Sequence, residues 1–548
     1  MPPTHEVLNQ PPPLAGYDLY ENDPVLGEAL GHQGAGWAAD RLRALGALAG
    51  TPEAIAWGEA ADTNPPRLRT HDRHGRRIDE VEFHPAWHRL LGTATEHGLH
   101  AAPWRDPRPG AQVARAAGFY LWTQVEAGHG CPVSMTFAAV PALRAAAPDL
   151  AGTWEPKLTA AAYDPGLRPL ADKAGALCGM AMTEKQGGSD VRASTTTAAP
   201  GPDGLWLLTG HKWFCSAPMS DAFLVLAQAP AGLSCFLVPR VLPDGARNRF
   251  HLQRLKDKLG NRANASAEVE LDGAAGWPVG EPGRGLAAIL EMVNHTRLDC
   301  VVGSAALMRQ AVAQAAHHAA HRQAFGRRLA DQPLMTNVLA DLAVESEAAT
   351  WLAMRVAGAF DRAAGDPAEA AFGRLATAVA KYWVCKRAPA VAAEALECLG
   401  GNGYVEESGL PRLYREAPLN SLWEGAGNIN SLDVLRVLAR QPDGLAAFLD
   451  ELAPARAAEP RLDRAAATLE RELGGAADPV GLQGDARRLV ERLAVLLQAA
   501  LLVRHGHPAV ADAFCASRVA GDRGAAFGTL PPGLDLAAVV ERATPKVG

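Results

Sequence analysis

A single carboxylate, Glu424, lies in the segment SLWEGAGNIN (residues 421–430), between an indole and a loop of glycine and asparagine. The loop leads into the helical pattern INSLDVLRVLAR, so we expect Glu424 at the opening of a helix that Asn428 or Asn430 can cap. Two interpretations are open. A lone Glu in a loop is commonly a solvated surface residue, whereas a Glu packed against Trp423 in a dry pocket has a raised pKa and can act as a general base.

Two further segments have residue types that suit a phosphate or a flat heteroaromatic ring. The segment MTEKQGGSD (182–190) places two glycines between a Thr and a Ser, so its backbone N–H groups and two hydroxyls could face such a ligand. The segment GHKWFCS (210–216) ends a predicted strand with Trp213, Phe214 and Ser216, an aromatic pair beside a hydroxyl. A surface turn and a packed strand, respectively, would use the same residues.

The histidines and cysteines do not predict a metal site. His317, His318 and His321 include the i, i+4 spacing of a helical metal pair, but no third acidic or Cys ligand accompanies them in the local pattern. The eight cysteines form no CxxC pair and no Cys/His ligand spacing, which indicates reduced, mostly buried thiols of a cytosolic protein.

Composition and charge limit the class of protein. A chain of 548 residues, 48% hydrophobic and 21% charged, is typical of a globular protein with about three or four domains. The net charge of −7 gives no global reason to bind nucleic acid or a membrane, so such a surface would need a local patch. The sequence contains neither a secretory signal pattern nor an uninterrupted apolar run of about 18 residues. We therefore expect a cytoplasmic protein without a membrane span.

The texture of the sequence changes along the chain. Residues 1–178 have helical patterning interrupted by segments such as TNPPRLRTHDRHGRR, which we expect to form a surface excursion. Residues 179–284 contain short apolar runs, such as AFLVLAQA, that predict antiparallel strands. Residues 285–440 and 441–548 return to helical spacing. The prediction is a mainly α fold with an inserted antiparallel β-domain, in four consecutive parts: helical, β, helical bundle and C-terminal helical.

Five blocks of the chain resemble the motifs of the acyl-CoA dehydrogenase family in order and spacing. They are TEKQGGSD (183–190), GHKWFCS (210–216), RQAFG (322–326) followed by Gln332, LGGNGY (399–404) and EGAGN (424–428). A closer resemblance, through segments such as LNQPPPLAGYDLY and RLKDKLGNRANAS, covers nearly the whole chain. It is to the flavoprotein branch of that family that takes part in the bacterial adaptive response to DNA alkylation. The resemblance implies an acyl-CoA dehydrogenase-like fold with an extra C-terminal helical domain.

The resemblance also implies FAD as the cofactor, in a homotetramer that FAD helps to hold together. Arg322 and Gln332 match residues that reach the FAD of a neighbouring subunit, and a planar, permanently charged guanidinium suits a pyrophosphate. The other residues implied to contact the flavin are Met182, Thr183, Gly188, Ser189, Trp213, Phe214, Ser216, Gly400, Gly401, Gly403, Trp423, Gly425, Gly427 and Asn428.

By the same resemblance Glu424 is the catalytic base. In a dehydrogenase it would take the α-proton of an acyl-CoA thioester while the flavin accepts the β-hydride. Because the branch binds double-stranded DNA and has weak acyl-CoA dehydrogenase activity, the implied role is protection of DNA from alkylation, with an acyl-CoA or an alkylating agent as the small-molecule substrate. Two alternatives stay open: a metabolic short-chain or branched-chain acyl-CoA dehydrogenase of the isovaleryl-CoA type, and a flavin-stabilised DNA-binding protein without turnover.

The C-terminal part gives limited independent support for DNA binding. Residues 441–548 contain 12 Lys and Arg, of which 11 are Arg, against 14 Asp and Glu. The resemblance implies a positive crevice at the helix that leads into this part, so we expect Arg436 on that helix, together with Arg518 and Arg523, to contact DNA phosphates. Arginines interleaved with Glu at helical spacing more commonly form a solvated, ion-paired face.

Overall fold

The computed structural model describes residues 4–474 and 481–547, which form two compact units. The first unit comprises the chain up to Ile55, Pro109–Gln124 and the chain from Cys300 onward. The second unit comprises Ala56–Arg108 and Val125–Asp299. Both units combine stretches that are distant in sequence, because the chain passes between them several times. The four consecutive parts expected from the sequence follow changes of element type, and as domain boundaries they stay a prediction.

Helices account for most of the regular structure outside residues 178–279. In chain order they are α1 Pro24–His32, α2 Ala39–Ala49, α3 Pro52–Thr63, α4 Pro85–Glu96, α5 Ala102–Arg105, α6 Ala111–Thr123, α7 Gly130–Ala146, α8 Pro148–Leu158, α9 Gly285–His321, α10 Pro333–Arg362, α11 Pro367–Cys398, α12 Leu410–Glu416, α13 Leu419–Leu422, α14 Gly427–Arg440, α15 Pro442–Arg456, α16 Pro460–Gly474, α17 Ala486–His505, α18 Pro508–Phe514 and α19 Leu536–Ala543. No helix among the described residues is long and apolar enough to cross a membrane.

The strands form one larger sheet and two hairpins. In chain order they are β1 Arg67–His71, β2 Arg77–Glu82, β3 Cys178–Ala181, β4 Thr197–Pro200, β5 Trp206–Ser216, β6 Ala222–Ala229, β7 Gly232–Pro239, β8 Phe250–Leu255, β9 Ser266–Val279, β10 Gln323–Ala324 and β11 Arg327–Arg328. The larger sheet has the order β3-β6-β4-β5-β9-β7, with β8 paired to β9 and β7 also paired to β6. This is the β-domain that the sequence predicted.

The sequence suggested an antiparallel sheet, but the larger sheet also contains parallel strand pairs. β3 runs parallel to β6, with Cys178 opposite Ala222, and β4 also meets β6 in parallel. A parallel pair cannot be joined by a tight hairpin. The connection that leaves β3 is instead the loop MTEKQGGSD, which runs on to β4 before the chain reaches β6. The parallel pairing therefore places that loop at one end of the sheet.

Residues 67–82 form a β-hairpin where an irregular excursion was expected. β1 and β2 pair antiparallel, with Leu68 opposite Val81. Both side chains are partly buried against the hydrophobic core of the larger sheet, and Arg77 Nη2 donates 2.8 Å to the carbonyl of Leu252. A ribbon with one face on a sheet needs only alternate apolar residues. The prolines, glycine and many arginines of this segment hid that alternation.

In the first unit, α10 and α11 are the central pair of helices. α10 packs against α11, α6, α17 and α19, and α11 packs against α14 and α15. The side chains of α10 are buried from Leu339 to Ala359, so this helix is enclosed on all sides. Because α11 packs against α14, buried side chains of α11 lie next to the loop that precedes α14. All eight cysteines are buried, as the sequence predicted.

Candidate functional site

Glu424 lies in the loop between α13 and α14, three residues before the helix begins. Its φ is +57° and that of Gly425 is +94°, so a non-glycine residue takes the left-handed conformation. That conformation costs about 1–2 kcal/mol for a residue with a Cβ, and it persists only where surrounding contacts impose it. The expectation that Glu424 opens the helix was wrong. Ala426 is the N-cap residue and makes no side-chain capping bond, so the capping roles expected of Asn428 and Asn430 were wrong as well.

A buried lysine holds this loop. Lys381, on α11, is 1% exposed, and its Nζ donates to the carbonyls of Trp423 at 2.7 Å and of Gly425 at 2.8 Å. These two carbonyls flank Glu424 on either side. Asn430 Nδ2 also donates to the carbonyl of Gly425. The ammonium and the amide together fix the backbone on both sides of the carboxylate, which accounts for the left-handed Glu424.

The other predicted residues of this loop are fixed by neighbouring side chains. The indole Nε1 of Trp423 donates to Asn420 Oδ1 at 2.9 Å, and Asn420 Nδ2 reaches Ser304 Oγ on α9 at 3.2 Å. Asn428 Oδ1 accepts from Arg487 Nε at 2.8 Å. At Gly427 a Cβ would come within 2.6 Å of a methylene carbon of Lys386, so the close packing of α11 favours glycine there. Trp423, Gly425, Gly427 and Asn428 thus form one built loop around Glu424.

Arg322 and Gln332 lie together at a tight turn of the first unit. Gln332 Nε2 donates to the carbonyl of Ala324 at 2.9 Å, which holds the small β10–β11 hairpin. Its turn residues Phe325 and Gly326 have φ of +52° and +76°, and Phe325 is 97% exposed. Positive φ at both central residues is the hallmark of a type I′ turn. Arg322 therefore lies at the start of a hairpin whose turn exposes the Phe325 ring.

The amino-terminal residues Asn9 and Gln10 complete this cluster, although the sequence assigned them no role. Asn9 Nδ2 donates to the carbonyl of Gln323 at 2.8 Å, and the amide of Gln323 returns a bond of 2.8 Å to Asn9 Oδ1. Arg322 Nη1 donates to the Asn9 carbonyl. Gln10 Oε1 accepts from Asn402 Nδ2 at 3.4 Å, in the GGNG turn. The segment LNQ was part of the resemblance, but no local pattern could show these partners, more than 300 residues away.

The GGNG turn of Gly400, Gly401 and Gly403 has two kinds of glycine. Gly400 has a φ of +60°, and Gly400 and Gly401 have open space where a Cβ would lie. At Gly403 a Cβ would be 2.0 Å from the carbonyl oxygen of Leu396, so no side chain fits. The turn thus leaves an accessible backbone surface, which is what a platform for a planar ligand requires.

In the second unit, the loop MTEKQGGSD folds back on itself. Glu184 and Gly187 exchange backbone hydrogen bonds of 3.3 and 3.0 Å, and a Cβ at Gly188 would lie 2.4 Å from Thr183 Oγ1. The carbonyl of Thr183 accepts from the amide of Trp213 at 2.8 Å, which ties the loop to β5. The predicted Thr183, Gly188 and Trp213 are therefore brought together. Met182 is partly exposed beside them, and Ser189 is exposed.

The buried ion pair of Glu184 and Lys212 holds this loop in place, and the sequence predicted no role for either residue. Lys212 Nζ donates to Glu184 Oε1 at 2.9 Å and to the carbonyl of Leu226 at 2.7 Å, with both side chains buried. Glu184 also accepts from the amides of Thr195 and Thr196 at 2.7 and 3.1 Å. Burial alone would raise the pKa of Glu184, but the bonds from Thr196 and Thr195 and the Lys212 ammonium bring that pKa well below its usual range.

Trp213, Phe214 and Ser216 follow one another along β5. Phe214 is 53% exposed and Trp213 is half-buried, so the aromatic pair is not absorbed into the core of the sheet. Ser216 Oγ lies 3.4 Å from Ser266 Oγ on the neighbouring β9. An exposed phenyl ring beside an indole and a hydroxyl leaves room for a planar group to stack and bond at its edge.

Cations surround the Trp213 ring. Lys256 Nζ lies 3.3 Å from the ring centroid, and Lys185 Nζ and Arg254 Cζ lie 5.6 and 5.9 Å from it. Glu268 accepts from Arg254 and from Lys256, each at 2.7 Å, and so offsets one of the three charges. The remaining positive charge favours an anionic ligand next to the aromatic pair.

The predicted site residues therefore fall into two groups. Met182, Thr183, Gly188, Ser189, Trp213, Phe214 and Ser216 belong to the second unit, and the set from Arg322 to Asn428 belongs to the first. The histidines of α9 have other partners: His317 Nε2 bonds to the carbonyl of Pro12, and His321 Nδ1 to that of His317. Within the described part of the chain, no group of three or more His, Cys, Asp or Glu could hold a metal ion.

The three arginines expected to bind DNA have different surroundings. Arg436 is 59% exposed and lies 3.1 Å from Asp433. Arg518 is buried, with its guanidinium 3.1 Å from Glu345 and also paired with Asp341. Its assignment as a phosphate contact is corrected, because two internal carboxylates already neutralise a side chain that is only 1% exposed. Arg523 is half-buried, and for Arg436 and Arg523 the expectation stays a prediction.

Comparisons with known proteins agree with this architecture. Residues 179–274 match the acyl-CoA dehydrogenase middle domain, residues 283–439 match the acyl-CoA dehydrogenase C-terminal domain, and residues 9–165 match the adaptive response protein AidB N-terminal domain. The fold and the sites thus define an acyl-CoA dehydrogenase type of protein. The putative acyl-CoA dehydrogenase AidB of Escherichia coli is 48% identical over 513 residues, covering 93% of this chain and 94% of that one. The chain belongs to the acyl-CoA dehydrogenase family.

Solved structures extend the comparison. The crystal structure of Caenorhabditis elegans ACDH-11 in complex with C11-CoA has a TM-score of 0.85 at 28% identity, covering 99% of this chain and 93% of that one. An acyl-CoA dehydrogenase from Bacillus anthracis complexed with FAD has a TM-score of 0.65 at 19% identity, covering 84% and 83%. The second likeness concerns the fold alone.

Proposed function

We propose that this chain is an FAD-containing alkylation-response protein that binds double-stranded DNA, protects it from alkylation and retains weak acyl-CoA dehydrogenase activity. The observation that carries the proposal is the 48% identity to AidB over 93% of the chain. The anchoring of the Glu424 loop by Lys381 supports a retained site, because a residual surface loop would need no buried ammonium. The alkylating agent itself is the proposed substrate of the protective reaction, inactivated with the help of the flavin.

The residues present fit FAD. The exposed Phe214, the half-buried Trp213 and the Thr183–Gly188 contact leave a planar surface with nearby hydroxyl and amide groups, and the cations around Trp213 suit an anionic cofactor. Met182, Ser189 and Ser216 would complete this part. When bound, FAD supplies the two-electron acceptor. The set Arg322, Gln332, Gly400, Gly401 and Gly403 would contact the FAD of a neighbouring subunit.

Glu424 is the proposed base. Its loop holds the carboxylate in a fixed backbone conformation, so the position from which it takes a proton is set before substrate arrives. Removing the α-proton of a thioester leaves a pair of electrons to form the new double bond as the β-hydride departs. Glu424 keeps that proton until it is exchanged with solvent. Trp423, Gly425, Gly427 and Asn428 shape the approach to it.

We also infer a homotetramer in the cytoplasm. Large apolar side chains stand exposed on the first unit: Phe325 at 97%, Leu334 at 85% and Tyr404 at 83%. Exposed side chains of this size are what contacts between subunits would cover. Light scattering after size exclusion should give a mass close to four chains, and Phe325→Asp should reduce it.

A metabolic acyl-CoA dehydrogenase is the second candidate. It is favoured by the likeness to ACDH-11, whose structure was determined with C11-CoA. A flavin-stabilised DNA-binding protein without turnover is the third. The three candidates differ in two observable properties, flavin reduction by an acyl-CoA and affinity for duplex DNA.

The test combines these two measurements on the purified yellow protein. A labelled duplex is titrated at roughly 50 and 200 mM salt, and flavin reduction by isovaleryl-CoA is followed anaerobically for wild type and Glu424→Gln. Salt-sensitive binding with slow reduction that Glu424→Gln abolishes supports the proposal. Rapid reduction without duplex binding overturns it in favour of the metabolic enzyme. Duplex binding without any reduction overturns the enzymatic part.

A further inference from the structure

More than half of the arginines in the C-terminal part of the chain, residues 441–548, are neutralised by carboxylates of this part or of other helices. Six of its eleven arginines form an ion pair with Asp or Glu, namely Arg456, Arg461, Arg492, Arg504, Arg518 and Arg542. Charges paired in this way attract a polyanion weakly, because each would have to exchange one partner for another. A surface for DNA is better sought where arginines are exposed and have no carboxylate beside them.

The β1–β2 hairpin of the second unit is rigidly attached at its base. Leu68 and Val81 pack on the core of the sheet, and Asp79 accepts from Arg77 Nε at 2.7 Å. The buried guanidinium of Arg240 donates to the carbonyl of Asp79 at 2.9 Å. A ribbon held by apolar packing and buried hydrogen bonds keeps a defined direction for its turn.

Near this base three arginines are neutralised by carboxylates of the second strand. Arg69 lies 2.9 Å from Glu82, and Arg247 lies 2.9 Å from Glu80. Arg77 is paired with Asp79. Glu82, Asp79 and Glu80 of the second strand therefore offset the charges of these three arginines.

At the turn of the hairpin the arginines are not paired with carboxylates in this way. Arg73 and Arg76 are exposed and form no ion pair with any carboxylate in residues 4–474 and 481–547. The one carboxylate of the turn, Asp72, accepts from the amides of His74 and Arg76 at 2.8 and 2.9 Å and so stabilises the turn itself. His71 and His74 are exposed beside them. Two uncompensated guanidiniums and two imidazoles thus share a turn of seven residues, His71 to Arg77.

We propose that the tip of this hairpin, Arg73 and Arg76, is a contact surface for the phosphates of duplex DNA. The proposal rests on the proposed DNA binding and adds the place where it occurs. Guanidinium forks bind phosphate oxygens in a bidentate manner, and a two-stranded ribbon has the width to enter the major groove of B-DNA. Because the tip reads phosphates, it contributes affinity and no sequence preference.

The test compares two double variants that remove equal charge. Arg73→Gln/Arg76→Gln removes the unpaired cations of the turn, and Arg69→Gln/Arg247→Gln removes two cations that are paired with Glu82 and Glu80 of the ribbon. Each lost phosphate contact lowers the steepness of log K against log salt by about 0.9, so the tip variant should lose about 1.8 and bind roughly 60-fold more weakly near 0.1 M salt. The control variant should bind within about twofold of wild type.

A third variant separates charge from folding. Arg73→Lys/Arg76→Lys keeps the positive charge and should retain most of the salt dependence, since a phosphate also accepts an ammonium. Equal binding by wild type and Arg73→Gln/Arg76→Gln overturns the inference about the tip and leaves DNA binding intact. Equal weakening by the Lys and Gln variants overturns it as well. If the wild type itself does not bind duplex at low salt, the proposed function falls, and the inference with it.

Discussion

Replacing Lys381 with methionine removes the ammonium that donates to the carbonyls on both sides of Glu424, at 2.7 and 2.8 Å. Methionine has similar length and an apolar surface, so it fills the same buried space. We expect the fold to persist and the loop around Glu424 to loosen. The reason is that the left-handed Glu424, with a φ of +57°, is imposed by these bonds and is unfavourable without them.

The magnitude follows from the contacts. Two hydrogen bonds from a charged donor contribute about 3–6 kcal/mol together, and the bond from Asn430 adds about 1 kcal/mol. The left-handed conformation costs about 1–2 kcal/mol. In wild type the observed loop is thus favoured by at least about 2 kcal/mol, whereas without Lys381 the two sides are roughly equal. The fraction of molecules with the observed loop should fall from nearly all to about one half or less.

Global stability should change less than this local balance. An ammonium in the interior has lost its hydration, which costs several kcal/mol, and methionine carries no such cost. The free energy of unfolding should therefore shift by no more than about 2 kcal/mol. Loop order and global stability are separable in this variant.

Two assays report on the loop. Hydrogen exchange measured by mass spectrometry on peptides covering residues 419–432 should be faster in Lys381→Met, and flavin reduction by isovaleryl-CoA should slow about two- to tenfold, in proportion to the lost population. Lys386→Met is the matched control, since it makes the same change on the same helix at a half-buried lysine. A folded, flavin-loaded Lys381→Met with unchanged exchange and rate would refute the reasoning.

Three other expectations follow from the structure. Glu424→Gly should be more stable than Glu424→Ala by about 1 kcal/mol in denaturant unfolding, because glycine accepts the left-handed backbone, while neither variant reduces flavin. Lys212→Met should lower the free energy of unfolding by about 3–5 kcal/mol, because it leaves Glu184 buried and unpaired. The double variant with Glu184→Gln should regain part of this loss. Equal free energies of unfolding for wild type and Lys212→Met would argue against a stabilising pair. Burial raises the pKa of Glu347 from 4.5 to about 7 despite its bond with Arg542, so its stabilising effect, roughly 3 kcal/mol, is complete below about pH 4.5 and is lost as pH rises through 7. Glu347→Gln should flatten this part of the pH–stability curve.

Local patterns predicted the elements well. The run AFLVLAQA became β6, Ala222–Ala229, and the helical spacing of residues 441–548 became helices such as α17, Ala486–His505. Both depend on a periodicity within one element, which the sequence displays directly. The loops near Glu424 and Thr183 were indicated by the resemblance, because their glycines and polar residues occur in blocks that can be matched without knowing their partners.

Partners remote in sequence could not be predicted. Arg518 looked like an exposed cation on a helix, and only the fold shows that Glu345, 173 residues away, meets its guanidinium. The same limit hid Asn9 beside Gln323 and the parallel pairing of β3 with β6. The hairpin was missed for another reason. Many of its strand positions are occupied by arginine and glutamate, so the hydrophobic alternation that predicts a strand was too weak to recognise.

Buried lysines show how these remote partners create the functional loops. Three lysines are buried in the described residues, and each donates to backbone carbonyls: Lys173 to those of Asp164 and Gly166, Lys212 to those of Met182 and Leu226, and Lys381 to those of Trp423 and Gly425. An ammonium has three donors on a flexible stem, so it can serve several carbonyls that no helix or sheet satisfies. Its burial is tolerable because those carbonyls converge on it and, for Lys173 and Lys212, because a carboxylate lies beside it as well.

The loops also depend on the lysines. An irregular loop has no regular backbone hydrogen bonds of its own, so it becomes rigid when a lysine ammonium binds its carbonyls. Two of the three lysines hold the loops that contain Met182 and Glu424, where the resemblance assigns cofactor and base. Their bonds span 30 and 42 residues of sequence. A lysine within a helix or strand is normally taken as a solvated residue, and only the converging carbonyls identify it as the support of a site. The rigidity of the loop around Glu424, the proposed base, therefore originates on α11, in Lys381, which acts on Glu424 through the loop backbone.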